Sequence, residues 1–157
     1  MSAQGGGSGG YGLEVQAGGT ITAGSTGTVT VTGRGGGGSG TDNSGVVVRD
    51  AGSSITTGAG NGDVTITGIA GSGSGQSGVA LRNGGSVATA GGAISITGLR
   101  SSGGVNGDVQ LNGPVTSSGG DVSVFADRDI VGNPTGDIST GPGGGNILLL
   151  ANNDGSG

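Results

Sequence analysis

The chain has 157 residues, 45 of them glycine, and a formal charge of −5 from five arginines against ten acidic residues. With no basic surplus and two aromatics, Tyr11 and Phe125, it lacks the footprint and the stacking platform of a nucleic-acid binder. The absence of Cys and His removes disulfides, thiolate zinc sites and imidazole acid–base work, and no apolar run reaches the roughly 18 residues of a membrane helix.

Residues 1–10, MSAQGGGSGG, read as a flexible Gly/Ser-rich segment with neither the charged nor the apolar region of a signal peptide. From residue 11 the pattern changes. Val, Ile and Leu fall in short alternating groups, which a disordered chain has no reason to maintain. A first strand begins at Gly12-Leu13-Glu14-Val15 and returns at Gly45-Val46, Gly78-Val79, Asp108-Val109 and Asp129-Ile130. A second is Thr20-Ile21-Thr22, repeated around Ile55, Val87, Val115 and Ile138. A third is clearest in Gly62-Asp63-Val64-Thr65-Ile66-Thr67-Gly68 and recurs around Val29, Ile94, Val122 and Ile147.

Three strands repeated five times predict an all-β fold, a parallel β-helix or β-solenoid of about five three-stranded coils over residues 11–151. Residues 152–157 read as a tail or a link to a next coil. Stacking each strand on its equivalent makes one inward ladder of Val29, Val64, Ile94, Val122 and Ile147, with similar aliphatic columns from the other two strands. A slip of one residue would put Ser or Thr inside, so the register is well specified. Glycine supplies the corners. The corner after the third strand is long at 33–45, 68–78 and 98–107, where Gly/Ser loops are expected to project, and short after Phe125, which reads as a plug over that bare corner.

Both end coils are expected to expose unpaired strand edges. No capping helix is legible at either end, so the chain reads as a segment of a longer solenoid or as a subunit stacked end to end. The run Gly119-Gly120-Asp121-Val122-Ser123-Val124-Phe125-Ala126-Asp127-Arg128-Asp129-Ile130 resembles the repeats of filamentous-haemagglutinin-type adhesins, the giant bacterial surface proteins. The resemblance covers residues 11–151. It implies a right-handed β-helix, a secreted or cell-surface location, and a role as stalk or fibre.

Chemistry-bearing residues are few. Asp63 and Asp121 share the start of the third strand, and Asp108 and Asp129 that of the first, but paired-carboxylate catalysis needs a desolvated pocket and sugar clefts need aromatics. The chain therefore reads as no enzyme, with no cofactor. Calcium is a weaker expectation, with Asp63 and Asp121 as its candidates. The Gly-Asp steps, including Gly107-Asp108 and Gly136-Asp137, lack the tandem nonapeptide spacing of calcium-binding repeats. Thr-x-Thr phrases raise ice binding through an outward ladder of Thr30, Thr65, Ser95 and Ser123, although this rank degrades from Thr to Ser and then to Leu148. Asn133-Pro134-Thr135-Gly136 reads as a turn. The five arginines are scattered, and Arg34 and Arg100 come one and two residues after the glycine that ends a third strand.

The reading is a structural, non-enzymatic segment of an extracellular fibre or adhesin that self-associates through its open ends. Its partners are itself and a host or cell-surface glycan or protein. The alternative is a ligand-binding solenoid that presents its Ser/Thr face to ice or glycan.

Overall fold

The computed structural model describes residues 1–6, 9–24, 26–101 and 109–152, and among them every regular element is a strand. β1 (Ser2–Gln4) comes first. Five coils follow: β2 (Leu13–Val15), β3 (Thr20–Ala23) and β4 (Val29–Arg34); β5 (Val46–Arg49), β6 (Ser54–Thr57) and β7 (Val64–Ile69); β8 (Val79–Arg82), β9 (Ser86–Thr89) and β10 (Ile94–Leu99); β11 (Val109–Leu111), β12 (Val115–Ser117) and β13 (Val122–Ala126); and β14 (Ile130–Gly132), β15 (Ile138–Ser139) and β16 (Ile147–Leu150).

Equivalent strands stack in parallel. The first sheet runs β2-β5-β8-β11-β14, the second β3-β6-β9-β12-β15, and the third β1-β4-β7-β10-β13-β16. The chain is a β-solenoid. Leu13 pairs with Val46, then Val79, Val109 and Ile130. Ile21 begins a ladder through Ile55, Val87, Val115 and Ile138. Val29 begins the third, through Val64, Ile94, Val122 and Ile147. β-branched side chains suit these ladders because they fill a pleated surface with little rotamer freedom to lose. The middle coils bury their inward residues completely, with Ile55, Ile66, Leu81 and Ile96 at zero exposure.

The N-terminal segment departs from expectation. Residues 1–10 read as flexible, yet Ser2–Gln4 adds a sixth strand to the third sheet, pairing with Thr32, Gly33 and Arg34 of β4. Main-chain groups hold it: the amide of Thr32 donates to the Met1 carbonyl at 2.9 Å and that of Gly5 to the Arg34 carbonyl at 2.8 Å. A strand edge offers such bonds to any backbone, whatever its side chains.

In the last coil Ile147 holds its place in the third ladder, next to Val122. Ile147, read as the end of an inward ladder, is 46% exposed, and Leu149 is 49% exposed. Among the described strands β16 pairs with β13 alone, so its inward side chains are covered from that side.

The long corners do not simply project. The first two, 33–45 and 68–78, close at the base through two glycines whose backbones touch, and the third, 98–107, lies largely outside the described residues. A Cβ on Gly68 would lie 1.9 Å from the Gly78 carbonyl oxygen, and one on Gly33 would lie 2.3 Å from that of Gly45. Beyond the base, Gly37 and Ser72 form a parallel bridge between consecutive loops.

Candidate functional site

The outward face of the third sheet carries two ranks. Thr30, Thr65, Ser95, Ser123 and Leu148 form one, and Thr32, Thr67, Thr97, Phe125 and Leu150 the other. Strand alternation sets them two residues apart along each strand, with roughly 4.8 Å between coils. Both are hydroxyl-bearing at the N-terminal end and apolar at the C-terminal end. Phe125 is a half-buried member of its rank, between Thr97 and Leu150.

Asp63 and Asp121 lie two coils apart and are engaged in the same way. Asp63 Oδ1 accepts the backbone amide of Ala93 at 2.8 Å, and Asp121 Oδ1 accepts that of Asn146 at 2.7 Å together with the Asn146 side-chain amide at 3.2 Å. Each carboxylate tethers the start of the next coil's third strand. Asp108 lies outside the described residues. Among those described, no three His, Cys, Asp or Glu residues gather as metal ligands.

The first sheet carries a polar cluster. Arg49 pairs with Glu14 and donates to Gln16, while Arg82, beside it in the ladder, donates to Gln110 at 3.0 Å. The two guanidiniums thus turn to opposite sides, which separates like charges. The Glu14 bond and charge raise the Arg49 pKa further. Tyr11 donates to Asp42 at 3.0 Å. Burial, then the bond to this carboxylate, raises the phenol's pKa above 10.0. Arg34 pairs with Ile69, and Ile69 with Leu99, so Arg100 lies one step out of the Arg34 column.

At the corner between the first and second sheets a shallow cleft of about 280 Å³ is lined by Asn83, Asn112, Pro114, Asn133 and Thr135. Asn133 Oδ1 accepts the Thr135 amide at 3.0 Å and its hydroxyl at 2.7 Å, the local bonding of an Asx turn.

A polar network in the long loops escaped the sequence reading. Asn43 is fully buried. Its Oδ1 accepts the amides of Gly9 and Gly10, and its Nδ2 donates to the carbonyls of Gly38 and Ser72. The Asn43 amide donates to Gln76 Oε1, while Gln76 Nε2 donates to Gly40 and Ser74. The signal lay in Asn43-Ser44-Gly45 and Gln76-Ser77-Gly78: amide, serine and glycine at the 33-residue period.

Among the described residues, the exposed large hydrophobic side chains other than Met1 gather at the C-terminal edge. Val131 and all of β16 stand 42–49% exposed. The fold is that of a repeat solenoid, and its last described coil presents an apolar edge. Compared with known proteins, the chain matches no family model, no curated protein and no solved structure, so the likeness to filamentous-haemagglutinin repeats rests on the sequence motifs alone.

Proposed function

We propose that this chain is a structural, non-enzymatic segment of an extracellular fibre or adhesin of the filamentous-haemagglutinin kind, and that it self-associates end to end. The observation that carries this reading is the C-terminal edge, where Ile147, Leu148, Leu149 and Leu150 are exposed on a strand with one neighbour among the described residues. Such an edge offers both unpaired main-chain groups and apolar surface. Its complement is the opposite end of another copy, and a head-to-tail contact of this kind does not close on itself, so it propagates as a filament. Electron microscopy across a dilution series tests the reading. Filaments with a roughly 4.8 Å axial repeat are expected, and particles that stay monomeric at high concentration would sink it.

A second reading has its own observation: Thr30 and Thr65 stand beside Thr32 and Thr67 in registered outward ranks, a regular array suited to ice or glycan hydroxyls. Its test is thermal hysteresis in ice and retention on immobilised glycans. Replacing Thr65 with Tyr should abolish either effect.

A further inference from the structure

We infer that β16 of one copy docks on β4 of the next by displacing that copy's own β1; this rests on the end-to-end reading and specifies its joint. The argument comes from the phase of the coils. The N-terminal end presents β2 to the first sheet and β3 to the second, and the C-terminal end presents β14 and β15. Joining two copies with both of these sheets unbroken sets β14 against the second copy's β2, and β15 against its β3. The next strand of the third sheet is then the second copy's β4, which must lie directly on β16. That place is taken by β1, which pairs with β4 on the same side.

The registers show that the conflict covers all of β1. Ser2 pairs with Thr32, and Leu150 belongs to the Thr32 column through Phe125, Thr97 and Thr67. Ser2 and Leu150 therefore claim one position. The residues after them, Ala3 and Gln4 against Ala151 and Asn152, claim the next two. If β1 stayed and paired with β16 instead, one strand place would stand empty in each of the other two sheets.

The composition of the two strands decides between these joints. β1 is Ser-Ala-Gln and pairs with Thr32, Gly33 and Arg34 of β4, while the Met1 ammonium before it donates to the Thr30 carbonyl at 2.7 Å. β16 is Ile-Leu-Leu-Leu. Carried over from its pairing with β13, its register lays Ile147 on Val29, Leu148 on Thr30 and Leu149 on Val31. Its inward residues thus continue the aliphatic ladder. The same joint sets Ile130 on Leu13 and Ile138 on Ile21, so all three core columns run through without a break. The occupant of the apolar edge is a second copy of this chain, and β1 covers the receiving edge until that copy arrives.

Two cysteine pairs read out the joint, and the natural chain has no thiol to interfere. In the T30C/L148C variant the introduced thiols lie at opposite ends of one ladder within a chain, roughly 19 Å apart by strand spacing. Across the inferred joint they are direct neighbours, within disulfide reach. Mild oxidation should give a ladder of covalent multimers, while the S2C/L150C variant, which links only if β1 stays and pairs with β16, should give none. The converse result would overturn the displacement and leave end-to-end association standing. Filaments with neither cross-link would overturn both. Hydrogen exchange on the unmodified chain gives an independent reading. Assembly should expose the Gly5 amide, which bonds to Arg34 in the free chain, and protect 147–150. Retained protection at Gly5 in filaments would also overturn the displacement.

Discussion

Asn43 and Gln76 hold consecutive long loops together: the backbone amide of one donates to the side-chain oxygen of the other, 33 residues along the chain. Asn43 then bonds backward to Gly9 and Gly10 and forward to Ser72. One buried side chain therefore ties the N-terminal segment to two coils.

Asn43→Ala should destabilise the chain by roughly 1–3 kcal/mol, since it removes a buried side chain and leaves several part-buried backbone groups without their partner. Urea denaturation measures the loss, and cleavage by a protease should speed up in the loops before the core yields. A change below about 0.5 kcal/mol would mean that water replaces the amide at no cost.

Glycine-to-alanine changes should separate the touching backbones from the open loops. Gly68→Ala drives a methyl into the Gly78 carbonyl, whereas a Cβ at Gly37 meets nothing within 4 Å. The first should cost roughly 1–3 kcal/mol or more, as overpacking does, and the second should lie within about 0.5 kcal/mol of the parent. Equal melting temperatures for the two variants would contradict the close approach.

Truncating the third ladder should depend on position. Ile66 is fully buried and Ile147 is 46% exposed. Ile66→Ala should cost roughly 2–5 kcal/mol. In dilute monomer, Ile147→Ala should cost well under about 2 kcal/mol, because half of its surface is already wet. At filament-forming concentrations the second variant should lose assembly while keeping its fold, as circular dichroism and sedimentation would show.

Tyr11 is the single tyrosine, so its absorbance reports one phenol. Its midpoint should lie above the ordinary value near 10, and Asp42→Asn should lower it by removing the carboxylate that accepts its proton. The unfolded chain releases this proton first. The contribution of Tyr11 to stability is therefore whole below about pH 10 and declines as pH rises from there through the folded-state pKa. A midpoint at or below 10 would show that the contact is absent in solution.

Calcium should leave the melting temperature unchanged at millimolar concentration, because Asp63 and Asp121 each spend an oxygen on a backbone amide of the next coil. Asp121→Ala should cost roughly 1 kcal/mol, the value of one such bond. A calcium-dependent rise in melting temperature that Asp121→Ala abolishes would restore the metal reading.

Much of the coil architecture was legible because each strand announces itself locally. Val64 and Ile66 alternate with threonines, and glycines bound the run. The same phrase around Ile94 leaves one register that keeps hydroxyls out of the core. Asn43 was less legible because its partners are mostly carbonyls and amides, which every residue has. Its recurrence as Gln76 was visible, but polar loop residues at a fixed period read first as solvent-facing. β1 was not legible at all, since Ser2, Ala3 and Gln4 pair through the backbone and carry no alternating apolar pattern.

By itself the sequence determined that the chain stacks in parallel coils and which face of each strand turns inward, because side-chain period and aliphatic content are properties of a few consecutive residues. Only the tertiary structure decided how the outer coils it describes are covered. That Ser2–Gln4 covers β4, and that Ile147 stands half exposed where Val64 is sealed, depends on which neighbours are present in space. Burial in a solenoid comes from the coils on either side, and no local pattern records whether both are there.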